Sequence, residues 1–336
     1  MTRTPTIADV ADAAGVSKGT VSLALNNKGR VSAETRAKVR RIADELGYRP
    51  SVRARRLRGG RSNTVALVTT VPGEIVGGES SLSFLLGLAL PLSRVLLERG
   101  YSMLLLPPQP DERQLDAVDV DGVVLVDPRR DDPLCRSLRQ RDIEVVSIGG
   151  VAGISPSGIV DRGYSGADIA VGHLIAQGAG AVAVIAGDGE SSLSENIRDF
   201  CRDAPVPEGV DLVYRTVPVS AGEQAAYDCT RELLSTVPGV DAVYAPVDVA
   251  AVGVLRAARD AGRSVPEDLQ VITNFDGPRA AASRPRLTAL DLDLAGIAEA
   301  AAGLLVECMD DPSGQVRTVT APVPTVVGRE STVSGS

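Results

Sequence analysis

Along the first fifty residues apolar side chains recur three and four positions apart, the spacing that gathers them on one face of a helix. Ile7, Val10, Ala11 and Ala14 make one set, Val21, Ala24 and Leu25 a second, and Val39, Ile42, Ala43 and Leu46 a third. The punctuation agrees with this grouping. Thr6 with Asp9 reads as a capping box, Gly15 ends the first helix, Ser17 caps the second, Ser32 caps the third, and Gly47 stops it before Tyr48. Val16 is placed to plug the corner between the first two helices. Three short helices with a glycine-bearing turn predict a helix-turn-helix unit over 1–49.

The second of these helices leaves Lys18, Gly19, Ser22 and Leu23 outside its apolar face. A helix that enters a major groove has a use for such residues. Lysine donates to guanine O6 and N7, glycine permits close approach, and leucine meets a thymine methyl. A helical hairpin built for protein contact is the competing reading.

Beyond Asn63 the pattern changes to short β-rich runs alternating with helical segments. "NTVALVTTV", "YSMLLLPP", "DGVVLVDP" and "IEVVSIGG" form one series, with helices over 82–99 and 133–140. After "GISPSG" a second series opens with "GIVD" and continues through "AVAVIAG", "DLVYRTVPV", "DAVYAP" and "LQVITNF". Continuous apolar strands separated by helices predict an α/β core of two doubly wound parallel-sheet subdomains, which bind ligands outside the carboxyl ends of their strands. "LTALDLD" and the helix through Met309 are expected to return to the first sheet, and "VPTVVGRES" to join the second. The expected subdomains are therefore 63–157 with 288–318, and 158–287 with 319–332.

Charge adds a division that the apolar pattern does not show. The net charge is −8, yet residues 1–62 hold 14 Lys and Arg against 5 Asp and Glu, and the remainder 21 against 38. A head of +9 is joined to a body of −17. Any nucleic-acid partner must meet the head.

Between head and core lies "YRPSVRARRLRGGRSNT", a hinge or linker over 50–62. Pro50 breaks the third helix and Ser51 caps a helix too short to be stable alone, since isolated helices under about 12–15 residues are marginal in water. Arg53, Arg55, Arg56 and Arg58 suit phosphates or a minor groove. Leu57, apolar among arginines, has the character of a wedge between base pairs, and a plain basic linker is the equally open alternative.

Other chemistries find little support. At 336 residues, 44% hydrophobic and 23% charged, the chain reads as a soluble protein of two or three domains. The N-terminus lacks an apolar signal segment and the stretch 82–97 carries Arg94, so a cytoplasmic protein without membrane contact is expected. Cys135, Cys201, Cys229 and Cys308 match no metal spacing and read as buried small hydrophobes. The lone His173 falls within the helical "ADIAVGHLIAQG", so no catalytic triad or metal site is expected. "GAGAVA" precedes its strand and "GDGESS" lacks the lysine of a phosphate-binding loop, so neither a cofactor nor an enzyme is expected.

The run "TIADVADAAGVSKGTVSLALNNKGRVSAETRAKVRRIADELGYRPS", followed by "ARRL", resembles the lactose-repressor and purine-repressor (LacI/GalR) family of bacterial transcription regulators. The resemblance implies base-reading roles for Lys18, Gly19 and Leu23, and backbone-contacting or capping roles for Thr20, Ser22 and Asn26. It places Leu57 on the leucine that enters the minor groove at the operator centre, and Ala54 on the packing position between paired hinge helices. With Thr6, Ser17, Arg30, Ser51, Arg53, Arg55 and Arg58 these make up the expected DNA-facing set. A homodimer on a palindromic duplex, with a periplasmic-binding-protein-like core and an effector between its lobes, is implied.

The core departs from that family's effector pattern. Asn196 in "NIRDF" stands where many members carry an arginine, and Ser80 and Ser81 replace paired aromatics. Gly149 replaces an acidic residue, and Val247 an asparagine. Asp161, Asp248, Phe275 and Asp276 fit the expected cleft positions. A sugar held without a bidentate arginine leaves hydroxyls poorly paired, at about 1–3 kcal/mol each. Two expectations stay open: a smaller or more apolar ligand, or a cleft that no longer senses one.

Overall fold

A computed structural model of the chain describes residues 7–25, 31–46, 62–70, 79–108, 110, 114–115, 117–150, 156–164, 166–203, 205–312 and 314–332. Thr6, Asn26, Arg30, Gly47 and the whole hinge from Pro50 through Arg58 lie outside the described residues, as do the side chains of Ile7, Leu25, Ser80 and Ser81. Residues 1–62 and 63–336 form two compact units.

The small unit holds α1 (Ile7–Ala14), α2 (Lys18–Leu25) and α3 (Ala33–Glu45). Val10, Ala11, Ala14, Val21, Ala24, Val39, Ile42 and Ala43 bury one shared core, against which Val16 and Val31 pack. Gly15 turns the corner at φ +66°, a left-handed conformation that a side chain would strain, while Val16 N donates to Ala11 O at 3.1 Å. Leu46, expected in the third stripe, is 39% exposed. It falls one residue past the end of α3, although its N–H still donates to Ile42 O at 3.0 Å.

In the large unit the first sheet runs β11-β5-β4-β3-β1-β2 and the second β12-β10-β9-β8-β6-β7. The first contains β1 (Thr64–Thr69), β2 (Ser102–Leu105), β3 (Gly122–Val126), β4 (Glu144–Ile148), β5 (Gly158–Asp161) and β11 (Arg317–Thr320), all in parallel pairs. The second contains β6 (Ala181–Gly187), β7 (Asp211–Val217), β8 (Ala242–Tyr244), β9 (Gln270–Thr273), β10 (Thr288–Asp291) and β12 (Thr325–Val327). Among these described strands only β12 pairs antiparallel, to β10.

Alternate residues of the central strands feed opposite faces, which is why these strands read as unbroken apolar runs. On one face of the first sheet, Val65, Val124 and Val146 join Leu88, Leu92 and Leu96 of α4 (Glu79–Glu98) and Ala301 and Leu305 of α11 (Leu294–Asp310). On the other, Ala66, Val123 and Leu125 meet Leu134 and Leu138 of α5 (Pro133–Gln140). The second sheet is covered by α6 (Ala167–Ala176) and α7 (Ser192–Asp203) on one side. On the other it is covered by α8 (Gly222–Thr236) and α9 (Asp248–Asp260). A short α10 (Pro278–Ala282) follows β9.

Two strands sit in a different sheet from the one expected. "GIVD", read as the start of the second series, pairs with β4 and β11 in the first sheet, so the chain crosses after Asp161. "LTALD", expected in the first sheet, pairs with β9 and β12 in the second, so the return crossing follows Asp291. A Gly, Ser and Pro-rich loop marks a turn without saying which sheet the next strand joins. The return of α11 to the first sheet and of β12 to the second agrees with expectation.

Cys135 and Cys308 are buried, Cys201 and Cys229 half-buried, and all four are free thiols. Burial pushes the Cys135 thiol up to about 11 and that of Cys201 to about 12, which leaves little thiolate. His173 lies on α6 with Nε2 3.1 Å from Thr332 Oγ1. Among the described residues no helix is long and apolar enough to cross a membrane.

Candidate recognition helix and inter-lobe cleft

The start of α2 is fixed by Ser17, whose Oγ accepts the Thr20 N–H at 3.0 Å and lies 2.9 Å from Thr20 Oγ1. Ser32 repeats the arrangement on α3, accepting from Thr35 N at 3.1 Å. With both starts fixed, Val21 and Ala24 are fully buried beneath α2 while Lys18 and Gly19 are exposed and Leu23 is 42% exposed. Thr20 and Ser22 sit half-buried at the edge of that surface. The exposed face thus offers an ammonium donor, a bare stretch of backbone and an apolar tip, side by side.

In the large unit, residues at the carboxyl ends of the two sheets meet, the place where a ligand cleft is expected. Asp127 follows β3 at φ +47°, Gly149 follows β4 at φ +89°, and Arg162 follows β5. From the second lobe comes Ser192, the first residue of α7, whose Oγ donates to Asp127 Oδ1 at 2.9 Å. Arg162 Nη1 approaches the same oxygen at 3.5 Å, and both side chains are almost fully buried. Phe84 of α4 meets Phe275 edge to face, with centroids 5.5 Å apart at 86°.

The residues expected in the cleft divide among several environments. Phe275 takes part through its contact with Phe84. Asp276 is held by Arg329, Nη2 to Oδ1 at 2.5 Å, so its charge is already compensated. Asp248 is buried as the first residue of α9, with Arg279 Nε 4.0 Å away. Asn196 is half-buried on α7. Asp161 is exposed and accepts from Gly163 N at 2.9 Å, the work of a turn residue. It lines a cavity of about 210 Å³ bounded by the crossovers, with Tyr164, Asp168, Leu292 and Pro322.

Asp127, Arg162 and Ser192 were not singled out from the sequence. A signal existed: "GVVLVD" and "GIVDR" each place a charged residue just beyond a strand's carboxyl end, where doubly wound sheets bind ligands. At the matching edge of the second sheet, Tyr244 Oη, Thr273 Oγ1 and Asn274 Oδ1 are buried without a hydrogen-bond partner among the described residues. Burial holds the Tyr244 phenol far above its usual range, so it remains a donor.

Residues 6–51 match the family described as bacterial regulatory proteins, lacI family, and residues 171–332 match a periplasmic binding protein-like domain. The transcriptional regulator CelR of Thermobifida fusca is 34% identical over 323 residues, 91% of this chain and 92% of that protein. The ribose operon repressor of Escherichia coli K12 is 29% identical, over 92% of this chain and 94% of that one. Among solved structures, a CelR–cellobiose complex is similar with a TM-score of 0.66 at 28% identity, covering 97% of this chain and 99% of the other. The lac repressor dimer bound to operator and the anti-inducer ONPF shares the fold, with a TM-score of 0.73 at 21% identity, covering 99% and 100%.

Proposed function

The chain belongs to the lacI family of bacterial regulatory proteins, and from that premise we propose a sequence-specific transcriptional repressor that grips a palindromic operator as a homodimer. In this reading α2 lies in the major groove, with Lys18, Gly19 and Leu23 toward base edges and Ser17, Thr20 and Ser22 along the backbone. The observation that carries it is the pairing on one helix of fully buried Val21 and Ala24 with exposed Lys18, Gly19 and Leu23. Arg53, Arg55, Arg58, Ser51, Ala54 and Leu57 of the hinge complete the grip in the central minor groove.

A homodimer is supported by α4. Leu86, Leu90 and Leu97 are 43, 68 and 70% exposed at spacings of four and seven, an apolar stripe along one helix face. A stripe of this kind on a charged protein marks a surface that meets a partner. Two copies then present two recognition helices to the two halves of a symmetric site.

A small polar molecule in the cleft is the proposed effector. Arg162 supplies the guanidinium that Asn196 does not, from a different element, and the oxygens of Tyr244, Thr273 and Asn274, unpartnered among the described residues, give a ligand something to satisfy. CelR, solved with cellobiose, shows the kind of ligand one relative takes. Selection from randomised duplexes tests the regulatory reading: enrichment of a two-fold symmetric sequence is expected, and enrichment of no sequence contradicts it.

A further inference from the structure

Two lobes that close on a ligand are ordinarily drawn together by contacts to that ligand. Here the chain makes the closing contacts itself. Residues 127–130, after β3 in the first lobe, run against the turn that starts α7 in the second, with Arg129 and Ser191 forming an antiparallel bridge. Arg130 N donates to Glu190 O at 3.2 Å and Ser192 N to Pro128 O at 2.9 Å. Ser192 Oγ donates to the Asp127 carboxylate, and Arg130 Nε to buried Glu195 Oε1 at 2.9 Å.

Gly149 makes this seam possible. A Cβ at that position would overlap Ser192 Oγ, stand 3.1 Å from Ser192 Cβ and come within 3.4 Å of Asp127 Oδ1. Its φ of +89° also disfavours any side chain. An acidic residue there, as the family resemblance leads one to expect, would displace Ser192 and set a second negative charge beside Asp127. Glycine at 149 and serine at 192 are therefore a matched pair, one vacating the space the other fills. Arg162 adds a second donor to Asp127, so the carboxylate is bonded from both lobes' sides of the cleft.

We propose that this seam is a latch that holds the two lobes closed without a ligand, so that an effector of this cleft acts on an already closed core. The inference rests on the reading of the core as the sensing half of a regulator. An incoming molecule must offer Asp127 a hydroxyl or amine donor in place of Ser192, and Arg162 an acceptor. The departure from the family at 149 is then a change of regulation rather than a loss of the site.

Hydrogen exchange on the full-length protein, with no small molecule added, tests the latch. Peptides spanning 129–133 and 189–195 contain the two amides that cross the seam. In the unsubstituted protein these amides should be protected, and Gly149→Asp should speed their exchange by tenfold or more while β6 and α11 stay protected. Ser192→Ala, which removes one bond and leaves the backbone intact, should speed them several-fold and serves where Gly149→Asp does not fold. Seam amides that exchange equally fast in the unsubstituted protein and in the variants, with β6 and α11 protected throughout, would overturn the latch. Operator preference is measured on the same samples. Protected seam amides in a protein indifferent to DNA sequence would keep the latch and remove the regulatory reading.

Discussion

Ser17 Oγ and the backbone N–H of Thr20 are 3.0 Å apart, and this hydrogen bond caps the start of α2. Shifting that start by one residue would rotate α2 by about 100° and turn Lys18 and Leu23 away from the face they now share. The bond also serves one of the four N–H groups that a helix start leaves without a partner.

Ser17→Ala should therefore destabilise the three-helix unit by about 1 kcal/mol, the usual cost of losing such a cap. Ser17→Gly should cost only a few tenths of that. Thermal unfolding of both variants checks the order; equal melting temperatures for all three proteins would contradict the cap's role.

Lys18→Ala should weaken binding to the preferred duplex by about 1–3 kcal/mol and flatten the preference at one base position in each half-site. Charge loss alone would weaken all duplexes together. Repeating the duplex selection with the variant separates the two outcomes, and an unchanged base preference would remove Lys18 from the reading set.

The head's architecture was legible because the 3.6-residue period, Ser17, Ser32 and Gly15 all point to the same three helices. The core was legible as two parallel sheets and less so in its crossings, since pairing of β5 with β4 and of β10 with β9 depends on partners that no local pattern names. Asp161 and Arg162 show why the cleft was harder still. They are adjacent, yet the end of a strand sends neighbouring side chains to opposite sides, so Asp161 caps a turn while Arg162 reaches Asp127. Asp276 is neutralised by Arg329, 53 residues away in sequence, a partner visible only in the fold.

His173 gives a pH test with a defined sign. Burial holds its imidazole below the ordinary 6.5, so between that value and the lower folded one the unfolded chain binds more protons than the folded protein. Its contribution to stability is present above 6.5 and is lost as pH falls through that window. His173→Gln should make stability less dependent on pH there than in the unsubstituted protein, measured by urea unfolding between pH 7 and 5 (roughly the range in which an imidazole titrates). Identical pH slopes for the two proteins would refute the shift.

Leu90→Glu should separate the proposed dimer into monomers of 34.8 kDa, because a carboxylate placed in the Leu86, Leu90 and Leu97 stripe must be desolvated on association. Sedimentation at micromolar concentration reads the mass directly. The exposed position spares the monomer's own fold, so an unshifted dimer would show that α4 is not the contact.

The most direct measurement of the central claim is the affinity of the full-length protein for its selected palindrome, set against the same duplex with one half-site scrambled. Two recognition helices acting together predict a loss of several orders of magnitude on scrambling, and a steep decline of the intact complex with salt. Equal affinity for the two duplexes would contradict the account, because a dimer that reads both halves of its site cannot be indifferent to the destruction of one.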